Sequence, residues 1–125
     1  MRDYNIWLID DDPIQNKLNR STISKVFSEM CTIESYTDPQ NALGELKEGS
    51  EEPDFTFIDL DMPTMTGTEY IKEAQKIGQR TPVVILSSSI NGEILEFAER
   101  CKLVYTCIHK PLMKSDLSFF ESLPS

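Results

Sequence analysis

At 125 residues, with 21 acidic against 12 basic side chains and a net charge of −9, the chain has the length of one domain with a proper core and the wrong charge for a nucleic-acid backbone. No apolar run approaches the ~20 residues needed to span a bilayer, and Met1-Arg2-Asp3-Tyr4-Asn5 lacks the basic-then-apolar plan of a signal peptide. These totals predict one cytoplasmic domain over residues 1–125 that meets neither nucleic acid nor membrane.

Ile6-Trp7-Leu8-Ile9 is a short apolar run that ends in Asp10-Asp11-Asp12-Pro13, which reads as a buried strand delivering acids to its C-terminal end. Asp12 before Pro13 fits an N-cap with proline at the first helical position, and a first helix is expected from Pro13 to about Met30. Its apolar stripe is Ile14, Leu18, Thr22, Val26 and Met30, with Ile23 and Phe27 beside them. Cys31 to Tyr36 is β-prone but only partly apolar, as an edge strand is. Asp38-Pro39 repeats the cap signal for a short second helix carrying Ala42, Leu43 and Leu46 and ending near Gly49.

The run Phe55-Thr56-Phe57-Ile58 is the central strand. It delivers Asp59 to a turn that begins at Met62-Pro63 and closes at Gly67. Tyr70, Ile71, Ala74 and Ile77 recur at helical spacing, with Gly78 as a C-terminal stop. Pro82 to Leu86 is a further buried strand, ending in Ser87-Ser88-Ser89. Asn91-Gly92 opens a fourth helix with Ile94, Leu95 and Ala98 inward, and Leu103 to Ile108 is a fifth strand running into His109-Lys110-Pro111. Leu112, Leu117, Phe120 and Leu123 can line a last helix, capped by Ser115 or Asp116. Strands alternating with helices imply βαβ units and a parallel sheet covered on both faces, a three-layer α/β sandwich. The cysteines Cys31, Cys101 and Cys107 have no metal-ligand spacing and are expected to be reduced, buried or half-buried thiols.

All strands of a parallel sheet point one way, so their C-terminal residues emerge at one edge, where ligands of open α/β sheets bind. Asp10, Asp11, Asp59, Ser87 and Lys110 are therefore expected in one pocket. Asp12 can be either helix cap or a member of the acidic pair; the end of the apolar run at Ile9 favours Asp10 and Asp11. Among the three serines, Ser87 is preferred because it directly follows Leu86. Clustered carboxylates repel one another unless a cation sits among them, and hard oxygen ligands suit Mg²⁺. One carboxylate can then attack an electrophilic phosphorus, with Lys110 and the Ser87 hydroxyl supporting the phosphoryl oxygens.

An acidic pair after strand one, Asp59 before a Met-Pro loop, Ser87 after strand four and Lys110-Pro111 after strand five together resemble a two-component response-regulator receiver domain, over essentially the whole chain. The resemblance implies a flavodoxin-like sandwich with strand order 2-1-3-4-5 and five helices. It implies Asp59 as phosphoacceptor, Asp11 as a direct Mg²⁺ ligand, Asp10 acting on the metal through water, and the backbone carbonyl of Asp61 completing the metal's protein ligands. Ser87 resembles the switch hydroxyl and Lys110 the conserved-type lysine, with a cis peptide before Pro111. A histidine kinase or histidine phosphotransfer protein would supply the phosphoryl group, and the face of the fourth helix, fifth strand and fifth helix (α4-β5-α5) would meet a downstream protein. Such a domain is a switch rather than an enzyme. Where the family carries an aromatic residue three positions before the lysine, this chain has Cys107, with Tyr105 expected on the same side of the strand. Two rival readings are a haloacid-dehalogenase-type phosphatase, whose Asp-x-Asp signature resembles Asp59-Leu60-Asp61, and a receiver-like module that acts without phosphorylation. Chain order speaks against the first and the complete pocket against the second.

Overall fold

The computed structural model describes residues 3–27, 30–49 and 51–122. Five strands, β1 (Tyr4–Ile9), β2 (Cys31–Tyr36), β3 (Phe55–Asp59), β4 (Val83–Ser87) and β5 (Val104–His109), form one sheet in the order β2-β1-β3-β4-β5. Every neighbouring pair is parallel. The connections are α1 (Pro13–Phe27), α2 (Pro39–Glu48), α3 (Gly67–Ile77) and α4 (Gly92–Arg100), and a 3₁₀ helix over Lys114–Ser122 stands as the fifth. Alternation along the strands divides the core. Trp7, Ile9, Ile58 and Ile85 pack under α2 and α3, while Ile6, Leu8, Phe57 and Leu86 pack under α1 and the C-terminal helix, whose Leu117 is fully buried.

The helix signals act as expected at three N-termini. Asp38 caps α2 by accepting from Gln40 N, and Asn91 caps α4 by accepting from Ile94 N. Asp12 accepts from Ile14 N at 2.9 Å, as the cap of α1 does, and the carboxylates that cluster near Asp59 are those of Asp10 and Asp11. The start of α3 holds a reciprocal capping box between Thr66 and Glu69 that the sequence reading passed over. Gly78 ends α3 with a φ of 117°, a left-handed conformation suited to glycine.

Four expectations are corrected. In α1 the buried residues are Asn16, Asn19, Ile23 and Phe27, whereas Ile14 and Leu18 are 64% and 57% exposed. A row of residues spaced by four drifts about 40° around the helix at each step, so the series from Ile14 to Val26 starts on the solvent side and only its end reaches the core. In α4 no residue is buried; Ile94 and Phe97 lean on the core and Leu95 is exposed. On β5, Val83 faces Val104 but Val84 faces Thr106, a one-residue slip that leaves Tyr105 as the extra residue. Its ring stacks on Phe119 at 4.7 Å, on the side of the C-terminal helix, while Cys107 packs beneath α4. In the last helix neither proposed N-cap sits before the first turn; Asp116 instead accepts from Met113 N across it. Leu112 and Leu117 are buried as expected, and the side chain of Phe120 and all of Leu123 lie outside the described residues. The three cysteines are free, one buried and two half-buried.

Candidate functional site

The strand ladders run on just past the sheet and draw the polar residues together. Asp10 N donates to Tyr36 O, Leu60 N to Leu86 O and Lys110 N to Ser87 O, at 2.8 to 3.1 Å. Asp59, the last residue of β3, thereby lies between the ends of β1 and β4. Gly67 closes the following loop by donating to Leu60 O. A Cβ at that position would lie 3.0 Å from both Asp59 O and Leu60 Cα, so glycine is what allows the start of α3 to approach the Asp59 backbone so closely.

Asp10 and Asp59 are buried, and the Lys110 ammonium reaches both. Its Nζ lies 2.7 Å from Asp59 Oδ1 and 3.4 Å from Asp10 Oδ2. The other Asp10 oxygen accepts from Asp12 N at 2.9 Å. Burial pushes the Asp10 carboxyl above its ordinary pKa, and the Asp59 charge adds to this against the opposing pull of Asp12 N–H and Lys110. Burial alone would pull Lys110 down, but its bond to Asp59 and the two negative charges outweigh it and hold the pKa above the usual value. The lysine is therefore a firm cation in this site.

Oxygens of Asp10, Asp11 and Asp59 lie within 4.8 Å of one another, with Asp11 exposed at the mouth. Three hard carboxylate donors, one of them open to water, fit a divalent cation of the Mg²⁺ type, which keeps several waters and takes few protein ligands. The Asp61 carboxylate is exposed and outside this trio. Asp61 instead lines a cleft of about 560 Å³ between the loops after β3 and β4, with Ser89 opposite and Lys72 and Phe97 in its wall. The Lys110–Pro111 peptide is cis.

Ser87 is buried at the end of β4, but its hydroxyl is turned onto its own loop. Oγ donates to Ser89 O at 2.8 Å and accepts from Ser89 N at 3.1 Å. Of the five groups expected to converge, four face one another and the fifth stands at the edge with its hydroxyl engaged elsewhere. His109 is exposed and its Nδ1 lies 2.6 Å from Lys110 O. The sequence reading passed over Asn16, whose buried amide touches the carbonyl of Asp10; a polar residue in the first turn of an otherwise amphipathic helix was its one signal.

The model of the response regulator receiver domain family matches residues 6–118. A two-component response regulator from Cytophaga hutchinsonii is 30% identical and superposes with a TM-score of 0.83 over 96% of both chains. The receiver domain of a sensor histidine kinase from Pseudomonas aeruginosa PAO1, solved with magnesium coordinated in its active site cleft, shares the fold at 18% identity. Its TM-score is 0.73 over 94% of this chain and 93% of that one. A protein-glutamate methylesterase/protein-glutamine glutaminase of Treponema denticola is 33% identical over 91 residues, which are 70% of this chain and 23% of that protein. The chain thus spans about a quarter of that relative's length. Matched from β1 into its C-terminal helix and built around an acidic strand edge, the chain belongs to the family of response regulator receiver domains of two-component systems.

Proposed function

We propose that this domain accepts a phosphoryl group on Asp59 from a histidine kinase or histidine phosphotransfer protein and signals the event to a downstream protein. The observation that carries the reading is the meeting of Asp59 with Lys110 at 2.7 Å, inside a group of three carboxylates whose oxygens lie within 4.8 Å. An Asp59 oxygen attacks phosphorus while the bond from phosphorus to the donor nitrogen breaks, giving an acyl phosphate. Asp10, Asp11, Asp59 and the Asp61 carbonyl would hold Mg²⁺. When bound, that cation offsets the charge of the acids and of the transferred oxygens. Lys110 reaches the same oxygens from the opposite strand and needs no change of protonation to do so.

Ser87 supplies the link to the surface. To bond a phosphoryl oxygen, its hydroxyl must leave the Ser89 carbonyl, and the loop before α4 loses that tie. Helix α4 carries no buried residue, and Leu95 and Tyr105 are exposed on α4 and β5. The face of α4, β5 and the C-terminal helix is thus easily moved and partly apolar, which suits contact with a downstream protein. At the mouth itself, exposed Ile14 and Leu18 lie one turn apart on α1, beside the acidic loop, and offer an apolar seat for the donor.

The test is intact-protein mass after incubation with Mg²⁺ and a small acyl phosphate, for the native chain and Asp59→Asn. One metal-dependent phosphoryl adduct, lost in the variant, is expected. A folded native chain that gains no adduct would overturn the proposal, and rapid hydrolysis of unrelated phosphate esters would point to a phosphatase instead.

A further inference from the structure

Asn16 stands in the first turns of α1 at a core position, 3% exposed. Its Nδ2 donates to Asp10 O at 3.0 Å and to Tyr36 O at 3.3 Å. Tyr36 O also receives Asp10 N at 3.1 Å. Asp10 is therefore held at both of its backbone polar groups, the N–H by the last rung of the sheet and the carbonyl by a helix side chain. The second bond fixes the plane of the peptide that joins Asp10 to Asp11.

That peptide matters because of how differently the two acids are held. Asp10 has its carboxylate bonded by Asp12 N and Lys110. Asp11 is exposed, and among the described residues no hydrogen bond or ion pair reaches its carboxylate. The direction in which Asp11 leaves the chain is then set by its backbone, and that backbone is set by Asn16. The asparagine is held to this task by its amide nitrogen alone: Nδ2 serves the two carbonyls, while its Oδ1 is buried without a partner among the described residues.

We infer that Asn16 is a positioning residue for a divalent cation: by clamping the Asp10–Asp11 peptide it presents the two carboxylates together with that of Asp59. The inference rests on the Mg²⁺ reading given above. Groups that orient metal ligands without touching the metal commonly change its affinity by about 10- to 100-fold when removed, and a loosely held ligand such as Asp11 should be sensitive to its support.

The experiment is calorimetric titration of Mg²⁺ into the native chain, Asn16→Leu, Asn16→Ala and Ile23→Val, with the thermal midpoint of each measured in EDTA. Ile23 is fully buried on the same face of α1 and away from the acids, so Ile23→Val reports simple loosening of the helix. Asn16→Leu and Asn16→Ala are each expected to bind Mg²⁺ at least tenfold more weakly, with some loss of midpoint from the Asp10 carbonyl left without its donor, and Ile23→Val to lose midpoint and keep affinity. Native affinity in both Asn16 variants, or equal losses in Asn16→Ala and Ile23→Val for equal losses of midpoint, would overturn the inference alone. A native chain that binds no Mg²⁺ would remove the metal reading beneath it.

Discussion

Ser87 and Ser89 hold each other twice, the Ser87 hydroxyl donating to Ser89 O at 2.8 Å while accepting from Ser89 N at 3.1 Å. A single hydroxyl thereby closes the loop between β4 and α4 and cannot donate to Asp59 at the same time. In Ser87→Ala the adduct on Asp59 should still form, since Lys110 and the acids are untouched. The amide chemical-shift changes in α4 and β5 on phosphorylation should shrink to a small fraction of the native ones. Loss of the two bonds should also lower stability by about 1 kcal/mol. Full-sized changes in α4 without the hydroxyl would show that the signal leaves the site by another path.

Asp10 should weaken the metal-free fold at neutral pH. Its carboxyl is raised above its ordinary value of 3.8, chiefly by burial. A group with a raised folded pKa contributes stability that is complete below the unfolded value and is lost as pH rises through the folded one. Asp10→Asn is accordingly expected to unfold at higher urea in EDTA at neutral pH, with the gain vanishing on acidification below 3.8. The same variant should bind Mg²⁺ poorly. A variant less stable than the native chain at neutral pH would refute this account of the charge.

Lys110→Met removes the cation between two buried carboxylates. The fall in metal-free stability should be about 2 kcal/mol, less than the ~3–5 of a fully enclosed pair, because 22% of the lysine side chain is exposed. Mg²⁺ should then raise the unfolding midpoint of the variant more than that of the native chain, while the phosphorylation rate stays far below native. Equal metal-induced shifts in both would mean that the lysine does not share the acids' charge with the cation.

Two glycines should respond oppositely to alanine. At Gly67 a Cβ presses on Asp59 O and Leu60 Cα at 3.0 Å, whereas at Gly44 in α2 nothing lies within 4 Å. Gly67→Ala is expected to lose about 1 to 3 kcal/mol and to slow adduct formation by shifting Asp59. Gly44→Ala should gain up to about 1 kcal/mol with the chemistry unchanged. Thermal unfolding and adduct mass on the two variants decide this.

What could be read before the fold was known follows from direction and period. A parallel sheet sends every strand end to one edge, so Asp10, Asp59 and Lys110 were placed together by strand assignment alone, and Asp11 came with its neighbour. Side-chain aim is set by finer causes. Ser87 sits where expected, yet its hydroxyl turns to Ser89, whose carbonyl and amide offer it an acceptor and a donor at once. Asn16 and Asn19 occupy core positions that hydrophobicity gives to Ile14 and Leu18; for Asn16 the cause is the pair of carbonyls, of Asp10 and Tyr36, that take its amide. Tyr105 fell on the other side because one slipped residue in β5 reverses the alternation, and nothing in Val104-Tyr105-Thr106 announces the slip. The last helix winds as 3₁₀ although its apolar spacing was read as α.

A helix without a buried residue is also a helix that can be rewritten. Changes along α4 meet solvent or the fringe of the core, where substitutions usually shift stability by no more than about 0.5 kcal/mol, while changes at the acids, Lys110 or Gly67 alter the pocket itself. On the proposed function, one lineage could therefore exchange its audience residue by residue and leave the chemistry proposed for Asp59 intact. The proposed phosphorylation event could thus be inherited by circuits that share no output.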